Sequence, residues 1–106
     1  MEAKALIFIH DRNTKKWLYE ERNGCPGGTG EQIMKYIMNS NFDKMPDAEK
    51  VYDDLQYTYK PIEDYTEVEV EWRYDIWVQA DAIVYACEEV GEGEQYRVYK
   101  MIDIKK

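Results

Sequence analysis

The sequence predicts an α+β domain, with a mainly antiparallel sheet of about five strands and two helices packed on one face of it. The predicted order of elements along the chain is β-β-α-α-β-β-β. Three observations predict this fold: apolar residues alternate near both ends of the chain, they follow helical spacing in the middle, and turn-forming residues separate the segments. At 106 residues the chain has room for one hydrophobic core, so we expect residues 1–106 to form a single α+β domain.

The first two strands are predicted to form a hairpin. Residues 3–10 are almost continuously apolar, which is typical of a central strand covered on both faces. Residues 11–15 are polar and favour a turn, and residues 16–21 are predicted to be the returning strand.

Two helices follow the hairpin. The glycine-rich segment 23–30 leads into the first helix, for which Thr29 and Gln32 have capping-box spacing, and this helix is predicted to end near residues 39–41. The second helix is predicted from Asp47 to about Tyr57. Its apolar residues lie on one helical face: Ala48, Val51, Tyr52 and Leu55.

From Thr66 the apolar period changes to two, which predicts a long half-buried strand. Its apolar positions are Val68, Val70, Trp72, Tyr74, Ile76 and Val78. A fourth strand is predicted over residues 82–89 and a fifth over 95–104, joined by a turn at 91–93. The pattern leaves open whether residues 66–89 form two strands or one bent strand.

The charge of the chain restricts its partners. The net charge is −8, of which residues 54–106 contribute −7, and no basic cluster is present that would bind nucleic acid directly. Two cysteines are too few for a disulfide scaffold, and the apolar run at residues 5–9 is too short for a signal peptide or a membrane span. We therefore expect a cytoplasmic protein with reduced thiols that binds neither nucleic acid nor a membrane.

The sequence predicts no cofactor or metal site. The loop from Gly24 to Gly30 stands before a helix, but Glu31 follows where a phosphate-binding loop has its lysine. Cys25 lies near the same helix, and the only histidine, His10, should lie at the far end of the hairpin, roughly 20 Å away at about 3.3 Å per residue. The alternative that stays open is a small ligand-binding or thiol-dependent enzyme domain centred on this loop.

Carboxylates in the second half of the chain suggest a protein-binding surface instead. Glu67, Glu69, Glu71 and Asp75 are predicted to form a row on one strand, and Glu88 and Glu89 lie near the following hairpin. Carboxylates at regular spacing can imitate a phosphate backbone and occupy a basic groove. In size, sign of charge and compactness the chain is similar to small acidic inhibitors of phages and mobile elements, including some anti-restriction and anti-CRISPR proteins, with which it shares no motif.

Aromatic residues are the second indication of a partner. Tyr57, Tyr59 and Tyr65 surround a proline-containing loop, and a further group of apolar side chains is expected to point away from the helices. That group is Trp77, Ile83, Tyr85, Tyr99 and Met101. We therefore expect a non-enzymatic domain that binds a protein with a basic surface, as an inhibitor or nucleic-acid mimic of the phage anti-defence type. A homodimer through the open face of the sheet is compatible with this expectation.

Overall fold

Six strands form one sheet in this computed structural model, which describes residues 2–39, 46–63, 68–80 and 82–90 together with the backbone of 95–103. The strands are β1 (Ala5–His10), β2 (Lys15–Glu20), β3 (Lys60–Ile62), β4 (Trp72–Val78), β5 (Ala82–Glu89) and β6 (Gln95–Asp103). They are arranged in the order β3-β2-β1-β4-β5-β6. Every neighbouring pair is antiparallel except β1 and β4, which are parallel. The predicted α+β class is confirmed, and β3 is a short edge strand that the sequence analysis did not predict.

Two helices, α1 (Glu31–Asn39) and α2 (Ala48–Leu55), cover one face of this sheet. Both present an apolar stripe to the strands, and their buried residues are Ile33, Ile37, Ala48, Val51 and Leu55. Asp47 caps α2, because its side chain accepts a hydrogen bond from the backbone N–H of Lys50. None of the described helices has the length and apolar character needed to cross a bilayer.

The start of α1 differs from the prediction. A single π-helical turn, Pro26–Gly30, precedes it, and the Thr29 hydroxyl donates to the backbone carbonyl of Asn23 at 2.7 Å instead of capping the helix. The prediction of Thr29 as an N-cap is therefore wrong.

The long strand predicted from Thr66 begins only at Trp72. Residues 68–70 are described and are not in a strand, whereas Tyr65 and Glu67 lie outside the described residues. The reason is that both neighbours end at this level, since Trp72 is in register with Ala5 of β1 and with Glu89 of β5. Residues 72–89 form two strands, joined by a turn in which the backbone N–H of Gln79 donates to the carbonyl of Ala82.

The core lies between the two helices and the strand side chains on one face of the sheet. Tyr74, Ile76 and Val78 of β4 point into it, as predicted. Ile83 and Tyr85 were expected on the opposite face, but the register of β5 aligns them with Val78 and Ile76, so both are buried in the core. The side chains of Tyr99 and Met101, expected on the same face, lie outside the described part of the chain.

Candidate protein-binding surface

The face of the sheet opposite the helices carries a patterned set of side chains, which we call the open face. On β2, β1, β4 and β5 the register sorts them into three cross-strand rows. The rows are Tyr19, Leu6, Arg73 and Glu88; Trp17, Phe8, Asp75 and Ala86; and Lys15, His10, Trp77 and Val84. No described helix packs on these rows.

Four aromatic rings stack one after another across two of these rows, and we call this group the ring row: Trp17, Phe8, His10 and Trp77. Phe8 stacks on His10 with ring centroids 4.3 Å apart, and on Trp17 at 5.0 Å. His10 in turn stacks on Trp77 at 6.0 Å, and all three pairs are within 16° of parallel. Leu6, on the same face, is buried, while Trp77 at the end of the ring row keeps 47% of its surface exposed.

Two hydrogen-bonded side-chain pairs lie beside the ring row. His10 Nε2 is 2.7 Å from the carboxylate of Asp75, which is a partly exposed pair. The guanidinium of Arg73 donates through Nε and Nη2 to one oxygen of Glu88, at 2.9 and 2.5 Å. The Glu88 side chain is only 3% exposed, so its charge requires this partner. Asp75 and Glu88 were predicted to present free negative charge to a partner. The structure instead places Asp75 against His10 and Glu88 against Arg73.

Two residues of the predicted acidic row, Glu69 and Glu71, lie at one end of the sheet together with Glu89. Glu69, Glu71 and Glu89 are all exposed, and the backbone N–H of Val90 donates to the carbonyl of Glu71, which brings the ends of β4 and β5 together. The Glu71 carboxylate also accepts from the backbone N–H of Lys4 at 2.6 Å. Because Glu69 and Glu71 precede β4, the described residues do not form a row of carboxylates evenly spaced along a strand. Glu69 and Glu71 make an acidic border at this end of the open face, whereas Glu89 is in register with Trp72 and therefore projects on the helix side of the sheet.

The predicted tyrosines divide between surface and core. Tyr57 is 89% exposed, in the turn after α2 and outside the sheet. Tyr59 was predicted to be accessible to a partner, but it is buried in the core and its hydroxyl donates to the Gln32 side chain at 2.7 Å. Burial raises the pKa of the Tyr59 phenol, so it remains a hydrogen-bond donor at neutral pH.

A groove of about 730 Å³ opens beside Trp77, between the turn after β1 and the start of α2. Two carboxylates line it, but both already serve the backbone. Asp11 accepts from the N–H groups of Asn13, Thr14 and Ala48, and Asp47 caps α2. The hydrogen bond from Ala48 lowers the pKa of Asp11 below its usual value. The groove is therefore bounded by groups that fix the helix against the turn.

The glycine loop is packed against the core in a way that explains its composition. Added side-chain carbons at Gly24 and Gly28 would overlap Ala5 and Asn23, respectively. Tyr74 donates its hydroxyl to the Gly24 carbonyl at 2.7 Å, and Tyr85 donates to the Gly30 carbonyl at 3.0 Å. Burial also raises the pKa of Tyr74. These contacts give the loop a structural role.

Cys25 and His10 lie at opposite ends of β1, as predicted. His10 ends β1, whereas Gly24, next to Cys25, bonds to Ala3 before the other end of that strand. Cys87 is buried and Cys25 is partly exposed, so faster modification of Cys25 would follow from access alone. Among the described residues, no three His, Cys, Asp or Glu side chains are placed to hold a metal ion.

Sequence reasoning missed most of the ring row. Phe8 and Trp17 were assigned to a hairpin without regard to face, and Arg73 was treated only as a polar strand position. The signal was present, because Phe8 and His10 are two residues apart and so share a face of β1. What the sequence did not contain was the parallel pairing of β1 with β4, which brings His10 next to Asp75 and Trp77.

Comparison with known proteins gives no independent assignment. No protein-family model matches the sequence, and no match is found among curated proteins or among solved structures. The function must therefore be argued from the open face itself.

Proposed function

We propose that the chain is a non-enzymatic protein-binding domain whose interface is the open face. The observation that carries the proposal is the ring row on a helix-free face, ending in a half-exposed Trp77. Large aromatic residues are the usual anchors of protein interfaces, since they give much contact area for little loss of side-chain entropy. A partner that covers Trp77 would bury the most exposed ring of the ring row.

The acidic border indicates that the partner has a basic surface. Glu69 and Glu71 are exposed at one end of the open face, and negative charge at the rim of an interface steers a basic partner and selects against acidic ones. A basic surface is typical of proteins that handle nucleic acids, so inhibition of such a protein in the cytoplasm is the activity that we propose. The border would act as rim charge around aromatic anchors, because the described carboxylates lack the regular spacing of a phosphate backbone.

The test begins with affinity capture from a host lysate and continues with the captured protein in purified form. Trp77→Ala is expected to weaken the complex by about 30-fold, the loss typical of a central aromatic anchor. Met38→Ala is the matched control, since Met38 is exposed to a similar extent (53%) but lies on α1.

The charge contribution is tested separately. Reversing Glu69 and Glu71 to Lys should weaken the complex and flatten its salt dependence, whereas reversing Glu49 and Asp53 of α2 should do neither. Both double variants change the net charge from −8 to −4, so overall charge is held equal between them. A complex that is insensitive to Trp77→Ala, or is lost equally in both double variants, would contradict the proposal.

A further inference from the structure

We infer that the open face also pairs with the open face of a second copy of this chain, giving a symmetric dimer that the basic partner has to displace. This inference rests on the proposed use of the open face as an interface. It goes further because it names an occupant whose presence can be measured with the protein alone.

The balance of charge singles out this face. On β2, β1, β4 and β5 its ionised side chains are Lys15, Arg73, Asp75 and Glu88, which sum to zero with His10 neutral. The net charge of the whole chain is −8, so all of its excess negative charge lies outside this part of the open face. Two identical acidic chains repel one another over most of their surfaces, and this is where the repulsion is weakest.

The chemistry of the face suits self-association. Two of its four ionised groups, Arg73 and Glu88, are already paired within the chain, and Asp75 is held against His10. A second copy would therefore bury the ring row without leaving these carboxylates unpartnered. Homodimer interfaces are more apolar than the rest of a protein surface, and two sheets pack face to face about 10 Å apart when their inner faces are of this kind.

The size of the face is sufficient. The four central strands are six to eight residues long, so at about 4.8 Å between strands and about 3.3 Å per residue their flat footprint is about 400 to 500 Å² per copy. A corrugated layer of side chains has more accessible area than this footprint. Interfaces that bury less than about 600 Å² per partner occur in weak and transient complexes, so the face is large enough for a dimer of modest affinity.

Salt separates this dimer from the complex with the basic partner. Added salt screens the repulsion between two chains of charge −8 and strengthens apolar burial, so the dimer should tighten as the salt concentration rises. The complex with a basic partner should weaken under the same change. Failure of one therefore does not imply failure of the other.

The experiment is sedimentation velocity of the full chain over a concentration series from about 1 to about 300 µM, a range that covers the affinities of modest homodimers. We expect a monomer–dimer equilibrium that shifts toward dimer between about 50 and about 500 mM NaCl. Lys15→Glu gives the open-face side chains of these four strands a net charge of −2 and should raise the dimer dissociation constant about tenfold. Lys35→Glu is the matched control, because Lys35 lies on α1 and the variant has the same net charge.

A second variant keeps the test independent of Lys15. Trp77→Asp introduces a charge at the end of the ring row and should abolish the dimer, whereas Met38→Asp on α1 should not, with folding of both checked by circular dichroism. A chain that stays monomeric over the whole series overturns the inference. So does a dimer that dissociates with salt, or one that the two α1 variants weaken as much as the open-face variants do.

Discussion

The pair formed by Arg73 and Glu88 should contribute more to stability than any exposed ion pair described in the structure. Replacing Arg73 with Met removes the cation and leaves a carboxylate that is 3% exposed without its partner. Breaking a fully buried pair costs about 3–5 kcal/mol. Because the Arg73 side chain is itself 42% exposed, solvent already screens part of the interaction, and we expect a loss of about 2–3 kcal/mol.

Urea and thermal unfolding, followed by tryptophan fluorescence, measure this loss. For a domain of this length it corresponds to a fall of roughly 10 to 20 °C in Tm. Lys35→Met is the comparison, since Lys35 and Glu31 form an exposed pair one turn apart on α1 whose loss should cost about 0.3–0.5 kcal/mol. Adding Glu88→Leu to Arg73→Met should restore most of the stability, because no charge is then left buried. If Arg73→Met costs no more than Lys35→Met, Glu88 does not depend on Arg73 and the reasoning fails.

Three further predictions concern the turn and the glycine loop. The lowered pKa of Asp11 means that its carboxylate stabilises the fold above pH 4 and that this contribution is lost as pH falls through the folded-state value. Asp11→Asn should therefore lower stability at pH 7, and its difference from the wild type should shrink as the pH is lowered below 4 in urea titrations; a constant difference would contradict this. Gly28→Ala should cost about 1–3 kcal/mol in chemical unfolding, whereas Gly27→Ala, which has open space around it, should cost nothing. Tyr85→Phe removes the hydrogen bond to Gly30 and should cost about 1 kcal/mol in the same assay, and an unchanged midpoint would show that this bond is not needed.

Much of the fold follows from hydrophobic periodicity, and the exceptions have a physical cause. The alternation of apolar residues identified the correct face of β4, with Tyr74, Ile76 and Val78 inward. It failed at the start of the strand, where Val68 and Val70 continue the pattern. A strand needs neighbours for its backbone hydrogen bonds, and periodicity gives no information about where those neighbours end.

The two faces of β5 were harder to assign, because apolar residues occupy both. Ala82, Ile83, Tyr85, Ala86 and Cys87 are all buried, so local alternation does not distinguish core from open face. The register with β4 decides the assignment, and register is a tertiary property here. The same limit explains why the pairing of His10 with Asp75, residues far apart in the chain, could not be predicted.

The positions of the carboxylates in the fold change what the net negative charge implies about how a partner binds. Read from the sequence, Asp75 belongs to an acidic row on one strand and Glu88 to an acidic cluster near the following hairpin, and both are expected to face a partner. In the fold they sit against His10 and Arg73, and the open face becomes neutral on its four central strands while the rest of the molecule carries the excess charge. A neutral aromatic face bordered by Glu69 and Glu71 would attract a basic partner through its rim and leave its centre available for apolar burial. Affinity for that partner should therefore divide into a salt-dependent part that the border controls and a salt-independent part that the ring row controls.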